Sequence, residues 1–102
     1  MNTIQELSPQ EVEEKLENDK NIEVIDVRED EEVAQGKIEQ AKHIPLQEIP
    51  EAVNKLDKSK DYVMVCRSGR RSMKAASFLQ DNGYRVYNMA GGMLEWKGDV
   101  SS

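Results

Sequence analysis

The sequence predicts an α/β fold: a small, mostly parallel sheet of about five strands with helices on both faces. Short, β-rich apolar runs at residues 22–27, 62–65 and 84–89 alternate with stretches of helical periodicity. The loops between them are short, and such alternation specifies parallel strands joined by crossover helices. At 102 residues, with 37% hydrophobic and 33% charged side chains, the chain has apolar material for one core and little to spare. Residues 1–102 therefore read as a single domain.

Each element has a local cause. Ile4 and Leu7 suggest a short opening strand. Ser8-Pro9-Gln10-Glu11 has capping-box spacing with proline at the first helical position, so a helix starts there, with Val12 and Leu16 as its thin apolar stripe. Ile22 to Val27 reads as a buried strand running into the charged string Arg28 to Glu32. Glu29 to Gln35 fits a short helix closed by Gly36, and Ala41 to Ile44 a strand stopped by Pro45. Ile49, Ala52, Val53 and Leu56 fall at i, i+3, i+4 and i+7, a helical stripe. After the polar loop Asp57 to Lys60, Tyr62 to Val65 is the next strand. Ala75, Ala76, Phe78 and Leu79 share one arc of a helix over 71–82, which Gly83 stops. Tyr84 to Met89 is a last strand, followed by Gly91-Gly92 and a short helix through Trp96.

Charge narrows the function. The net charge of -6 argues against a nucleic-acid or anionic-membrane partner, since both require a cationic face. Residues 1–32 hold twelve acids and three bases, whereas residues 33–102 hold eight acids and eleven bases. Arg67, Arg70, Arg71 and Lys74 thus form a local positive site suited to a small anion. The N-terminus lacks the basic and apolar regions of a signal peptide, and no run approaches the ~18 apolar residues of a membrane span. A reducing cytoplasm is expected.

The only cysteine, Cys66, stands where a strand gives way to a helix. In parallel α/β sheets ligands bind at the carboxyl ends of strands, and the free N–H groups of a following helix favour a thiolate. A core cysteine is the plainer alternative, but the residues that follow are Arg67, Ser68, Gly69, Arg70, Arg71 and Ser72, not apolar ones. Gly69 permits the positive φ with which consecutive N–H groups curl around one centre, although a tight turn alone would also explain it. Arg67 and Arg70 suit an anionic substrate, and Arg71 equally suits bracing the loop. Ser68 and Ser72 can donate to a sulfur anion or cap the helix. Asp26 and Arg28, at another strand end, read as a buried pair supporting the site. His43 has no evident relation to Cys66. One cysteine excludes an internal disulfide and argues against a thiolate metal site.

With these segments in place, the chain resembles a single-domain rhodanese over roughly Ile4 to Trp96. Ile25-Asp26-Val27-Arg28-Glu29 matches the family's aspartate-valine-arginine string, and Gly36-Lys37-Ile38 through Leu46 matches its glycine-histidine-isoleucine to isoleucine-proline segment. Cys66 to Ser72 matches a common active loop, and Tyr87 to Trp96 the closing motif. Lys37 stands where histidine is usual, and Gln40 where glycine is usual. The resemblance implies a sulfurtransferase that carries a persulfide on Cys66, with no cofactor and no metal. Its partners would be a small anionic sulfur donor, such as thiosulfate or a small persulfide, and a thiol, cyanide or protein acceptor. A non-turnover sulfur carrier or redox sensor is the alternative. Cysteine-dependent phosphatases and arsenate reductases share the layout but need arginine six positions after the cysteine, where this chain has Ser72.

Overall fold

Alternating β and helical patterns build the parallel sheet they imply. The computed structural model describes residues 3–101. In chain order the elements are β1 (Gln5–Leu7), α1 (Pro9–Asn18), β2 (Ile22–Asp26), α2 (Asp30–Val33), β3 (Lys37–Ile38), β4 (Lys42–His43), α3 (Ile49–Ala52), β5 (Asp61–Val65), α4 (Arg70–Asp81), β6 (Arg85–Met89) and β7 (Val100–Ser101). The main sheet runs β1-β6-β5-β2-β4, and every neighbouring pair is parallel.

Period-two alternation divides the core between the two faces. Tyr62 and Met64 of β5 pack with Ala75, Ala76 and Leu79 of α4 and with Ile49 of α3. Val63 and Val65 face the other way, toward Val12 of α1, Leu7, Val24 and Met89. All four β5 residues are buried, as expected for a strand covered on both sides. Their burial at the sheet's centre makes β5 a rigid base for the loop that follows.

The caps explain where helices begin. The Ser8 hydroxyl accepts from the Glu11 N–H (3.1 Å), and the Glu11 carboxylate accepts from the Ser8 N–H (2.8 Å), closing the predicted box. The helix expected across residues 49–56 is broken up: only Ile49–Ala52 is α-helical, with 3₁₀ turns at Leu46–Glu48 and Val53–Lys55. Pro50 lies in the first turn, where its missing N–H is tolerated, and the α-helix gives way to a 3₁₀ turn only after Ala52. The stripe still buries Ile49 and Val53, and the Tyr84 hydroxyl donates to the Val53 and Leu56 carbonyls. The helix after Gly91 is a 3₁₀ turn at Gly92–Glu95.

One pairing had no signal in the sequence. β3 and β7 form a two-residue antiparallel ladder, Lys37 with Ser101 and Ile38 with Val100. Two residues are too few for a periodic pattern. Lys37, which departs from the rhodanese pattern, donates through Nζ to the carbonyls of Ile38 (3.3 Å), Glu39 (3.2 Å) and Ala41 (3.0 Å), so it holds this turn together.

Candidate active site

β5 ends at Val65 and α4 begins at Arg70, so residues 66–69 make the connection at the carboxyl edge of the sheet. Gly69 precedes the helix with φ +102° and ψ −3°, a left-handed conformation that glycine adopts without a Cβ clash. This turn folds the loop back over its own cysteine. The Gly69 N–H donates to Cys66 Sγ at 3.0 Å, and the Ser72 hydroxyl donates to it at 3.3 Å.

Cys66 is only 1% exposed, so its sulfur lies on the floor of the loop. Burial pushes the thiol pKa up. Hydrogen bonds from the Ser72 hydroxyl and from the N–H groups of Ser72, Gly69 and Ser68 outweigh burial and hold it below the ordinary cysteine value. The free N–H groups expected from the sequence are among these donors, and the Ser72 hydroxyl leads them.

The arginines divide into two kinds. Arg71 grips the Glu32 carboxylate with both arms, at 2.7 and 2.8 Å, tying α4 to α2. That grip holds the Glu32 carboxyl down at about 2. Arg67 and Arg70 are exposed and have no carboxylate partner among the described residues. Ser68 is also exposed, and its backbone N–H is what bears on the sulfur.

Asp26 and Arg28 form a buried pair beneath the neighbouring loop. Arg28 Nε lies 3.0 Å from both Asp26 oxygens, and Nη2 lies 2.8 Å from Oδ2. Nη2 also donates to the Gly36 carbonyl at 2.8 Å, which pins the far end of α2 and hence Glu32's approach to Arg71. His43 donates from Nε2 to the Arg28 carbonyl at 2.7 Å. It sits on β4, two strands from β5, and is a prop for this loop rather than a base for the thiol.

Two supports had no role at the site assigned from sequence. Asn88, fully buried on β6, donates through Nδ2 to the Gly69 carbonyl (3.1 Å) and to the Glu6 carboxylate (3.0 Å). An amide within the apolar run Val86 to Met89 was the available signal. Gly92 lies so close to the loop that a Cβ there would meet the Arg67 carbonyl oxygen at 2.4 Å and that of Cys66 at 2.5 Å. Beside it, the Met93 N–H donates to the Cys66 carbonyl (2.8 Å) and the Leu94 N–H to the Arg67 carbonyl (3.0 Å). Gly92 and the N–H groups of Met93 and Leu94 therefore serve as a clamp on the Cys66 loop.

Outside the loop, a cleft of about 460 Å³ opens between α2 and the 92–95 turn, lined by Arg28, Glu32, Gly36, Arg67, Leu94 and Val100. Among the described residues no group of three potential metal-ligating side chains occurs, and no helix is long and apolar enough to cross a membrane.

Comparison with known proteins agrees with this layout. The family model described as a rhodanese-like domain matches residues 8–99. A Bacillus subtilis protein named "Putative sulfurtransferase YtwF" is 49% identical over 97 residues, covering 95% of this chain and 94% of the relative. A protein of Allochromatium vinosum named "Sulfurtransferase" is 34% identical, covering 91% of this chain and 88% of its own. The crystal structure of a rhodanese-like domain protein from Staphylococcus aureus superposes with a TM-score of 0.89 at 36% identity, covering 96% of this chain and 97% of that one.

Proposed function

The chain belongs to the rhodanese-like domain family, and on that premise we propose that it transfers sulfane sulfur through a persulfide on Cys66. The observation that carries this reading is the cradle around Sγ: a peptide N–H at 3.0 Å and a hydroxyl at 3.3 Å on a thiol whose pKa lies below the ordinary value. Donors fixed around a sulfur stabilise negative charge there before any substrate arrives.

The steps follow from that geometry. The Cys66 thiolate attacks the outer sulfur of thiosulfate, the S–S bond breaks, and sulfite leaves with the bonding pair. Cys66 then carries –S–S⁻, and the loop N–H groups and Ser72 hold the new charge. An acceptor nucleophile, cyanide or a thiolate, takes the outer sulfur and returns Cys66 as thiolate. A small organic persulfide serves as donor in the same way, releasing its thiolate. No second cysteine competes for the sulfur, so the acceptor comes from outside and double-displacement kinetics follow. Arg67 and Arg70 attract the donor's anionic part. A lone cysteine kept as a free thiol suits a reducing compartment, the cytoplasm.

A phosphatase reading lacks its arginine. Position 72 is a serine turned onto the sulfur, and Arg71 is committed to Glu32. The test is an intact mass after incubation with thiosulfate. Gain of one sulfur, roughly 32 Da, removed by cyanide and absent in Cys66→Ser, is the expected result. An adduct on the serine variant, or none on the natural protein with any sulfane donor, overturns the proposal.

A further inference from the structure

We infer that Asn88 is a positioning residue for the sulfur-transfer site, acting through the Gly69 peptide; the inference rests on the reading of Cys66 as the reacting thiol. Three loop carbonyls are held from behind. Cys66 is held by the Met93 N–H, Arg67 by the Leu94 N–H, and Gly69 by Asn88 Nδ2. In a planar trans peptide the C=O and the following N–H point in opposite directions. Drawing these carbonyls toward β6 and the 92–95 turn therefore aims the N–H groups of Arg67, Ser68 and Arg70 away from them. The Ser68 N–H does bear on the Cys66 sulfur. Left-handed Gly69 followed by helical Arg70 makes the N–H groups of 69 and 70 converge on one concavity, the one whose first N–H meets Sγ at 3.0 Å.

Of the three holds, Asn88's alone comes from a side chain. Its amide orientation is dictated chemically: the Glu6 carboxylate and the Gly69 carbonyl both only accept, so the NH₂ must face them. The other end, Oδ1, is buried with no hydrogen-bond partner among the described residues. A buried acceptor left alone is destabilising, and an apolar residue in β6 would avoid it. Asn88 earns its place on β6 by what its NH₂ does to the loop.

Asn88→Leu tests this, since it is of similar length, adds no charge and removes the donor. The readouts are the pH–rate profile of Cys66 alkylation by iodoacetamide and the melting temperature. The expected result is an alkylation midpoint moved to higher pH and a rate at pH 7 lower by about three- to tenfold, as follows from weakening one donor network around an anion. A fall in melting temperature with an unmoved midpoint would make Asn88 merely structural and overturn the inference. Should Asn88→Leu fail to fold, Asn88→Ser, also uncharged and too short to reach Gly69, is read against the same two outcomes. Because alkylation needs no sulfur donor, it judges Asn88 even if the natural protein takes no sulfur from thiosulfate, a result that would count against the proposed function alone.

Discussion

Replacing Gly92 by alanine should damage this protein far more than replacing its neighbour Gly91. At Gly92 φ is +60°, and an added Cβ would lie 2.4 Å from the Arg67 carbonyl oxygen, inside the 3.0 Å below which neighbours must shift. Those neighbours are backbone, anchored by the buried end of β5. The left-handed conformation costs a non-glycine residue about 1 kcal/mol, and overpacking a tight site adds about 1–3 kcal/mol. If the 92–95 turn backs away, the two bonds to the Cys66 and Arg67 carbonyls weaken, at about 1 kcal/mol each. Together these make a loss of about 4–6 kcal/mol, or a melting temperature lower by on the order of 20 °C in a domain of this size. At Gly91, φ is +75° and the atoms nearest an added Cβ belong to the exposed Glu95 side chain, whose Cγ at 2.5 Å can swing aside while its Cβ at 3.2 Å gives slightly. About 1–2 kcal/mol is expected there, mostly conformational. The assay is thermal melting of both variants beside iodoacetamide alkylation of Cys66 at pH 7, which should slow only in Gly92→Ala. Equal melting temperatures and equal alkylation rates for the two variants would refute the clamp.

Other perturbations separate the roles around the loop. Ser72→Ala removes the hydroxyl that leads the lowering of the thiol pKa, so the alkylation midpoint should rise and the rate at pH 7 fall by about tenfold, the effect of one hydrogen bond to a charged group; an unchanged profile would assign the lowering to the backbone alone. Glu32→Gln should destabilise the protein by about 1 kcal/mol at neutral pH, a figure discounted for a pair that is partly exposed. Glu32's folded pKa is depressed to about 2 from 4.5, so its contribution is complete above 4.5 and disappears as pH falls through about 2. Melts of the two proteins should therefore differ at pH 7 and converge at acid pH, and a difference that persists at pH 2 would contradict the ion-pair account. Replacing Arg67 and Arg70 together with alanine should chiefly raise the thiosulfate KM, more at low salt than at high, because exposed charges are screened within ~10 Å at 0.1 M. A KM that does not move would leave donor binding to the peptide groups alone.

What was legible in the sequence was local. Capping box, buried strands, the stop at Gly83 and the strand-to-helix step at Cys66 each depend on residues within a few positions of one another, where periodicity and cap chemistry act. That is why the succession of strands and helices along the chain, and the place of Cys66 at a strand end, could be read from residues alone. Even the special conformation of Gly69 follows from its place between a strand end and an arginine-rich helix start.

Tertiary structure decided everything that depends on distant partners. Arg71 could brace the loop or bind an anion, and only the approach of α2 brings Glu32, 39 positions away, to take its charge. Asn88 meets Gly69 across 19 positions and Glu6 across 82, so no window of sequence contains its role. Gly91-Gly92 carried a turn signal, but the carbonyls that require Gly92 belong to a loop about twenty-five residues earlier, brought there by the parallel pairing of β5 and β6. The two-residue β3–β7 ladder and the change from α to 3₁₀ after Ala52 are also settled by packing, since short segments carry too little intrinsic preference to choose for themselves. The sequence alone thus pointed to Cys66 and to the carboxyl edge of the sheet where it lies, while the direction of the N–H groups around it is set by contacts that exist only once the chain has folded.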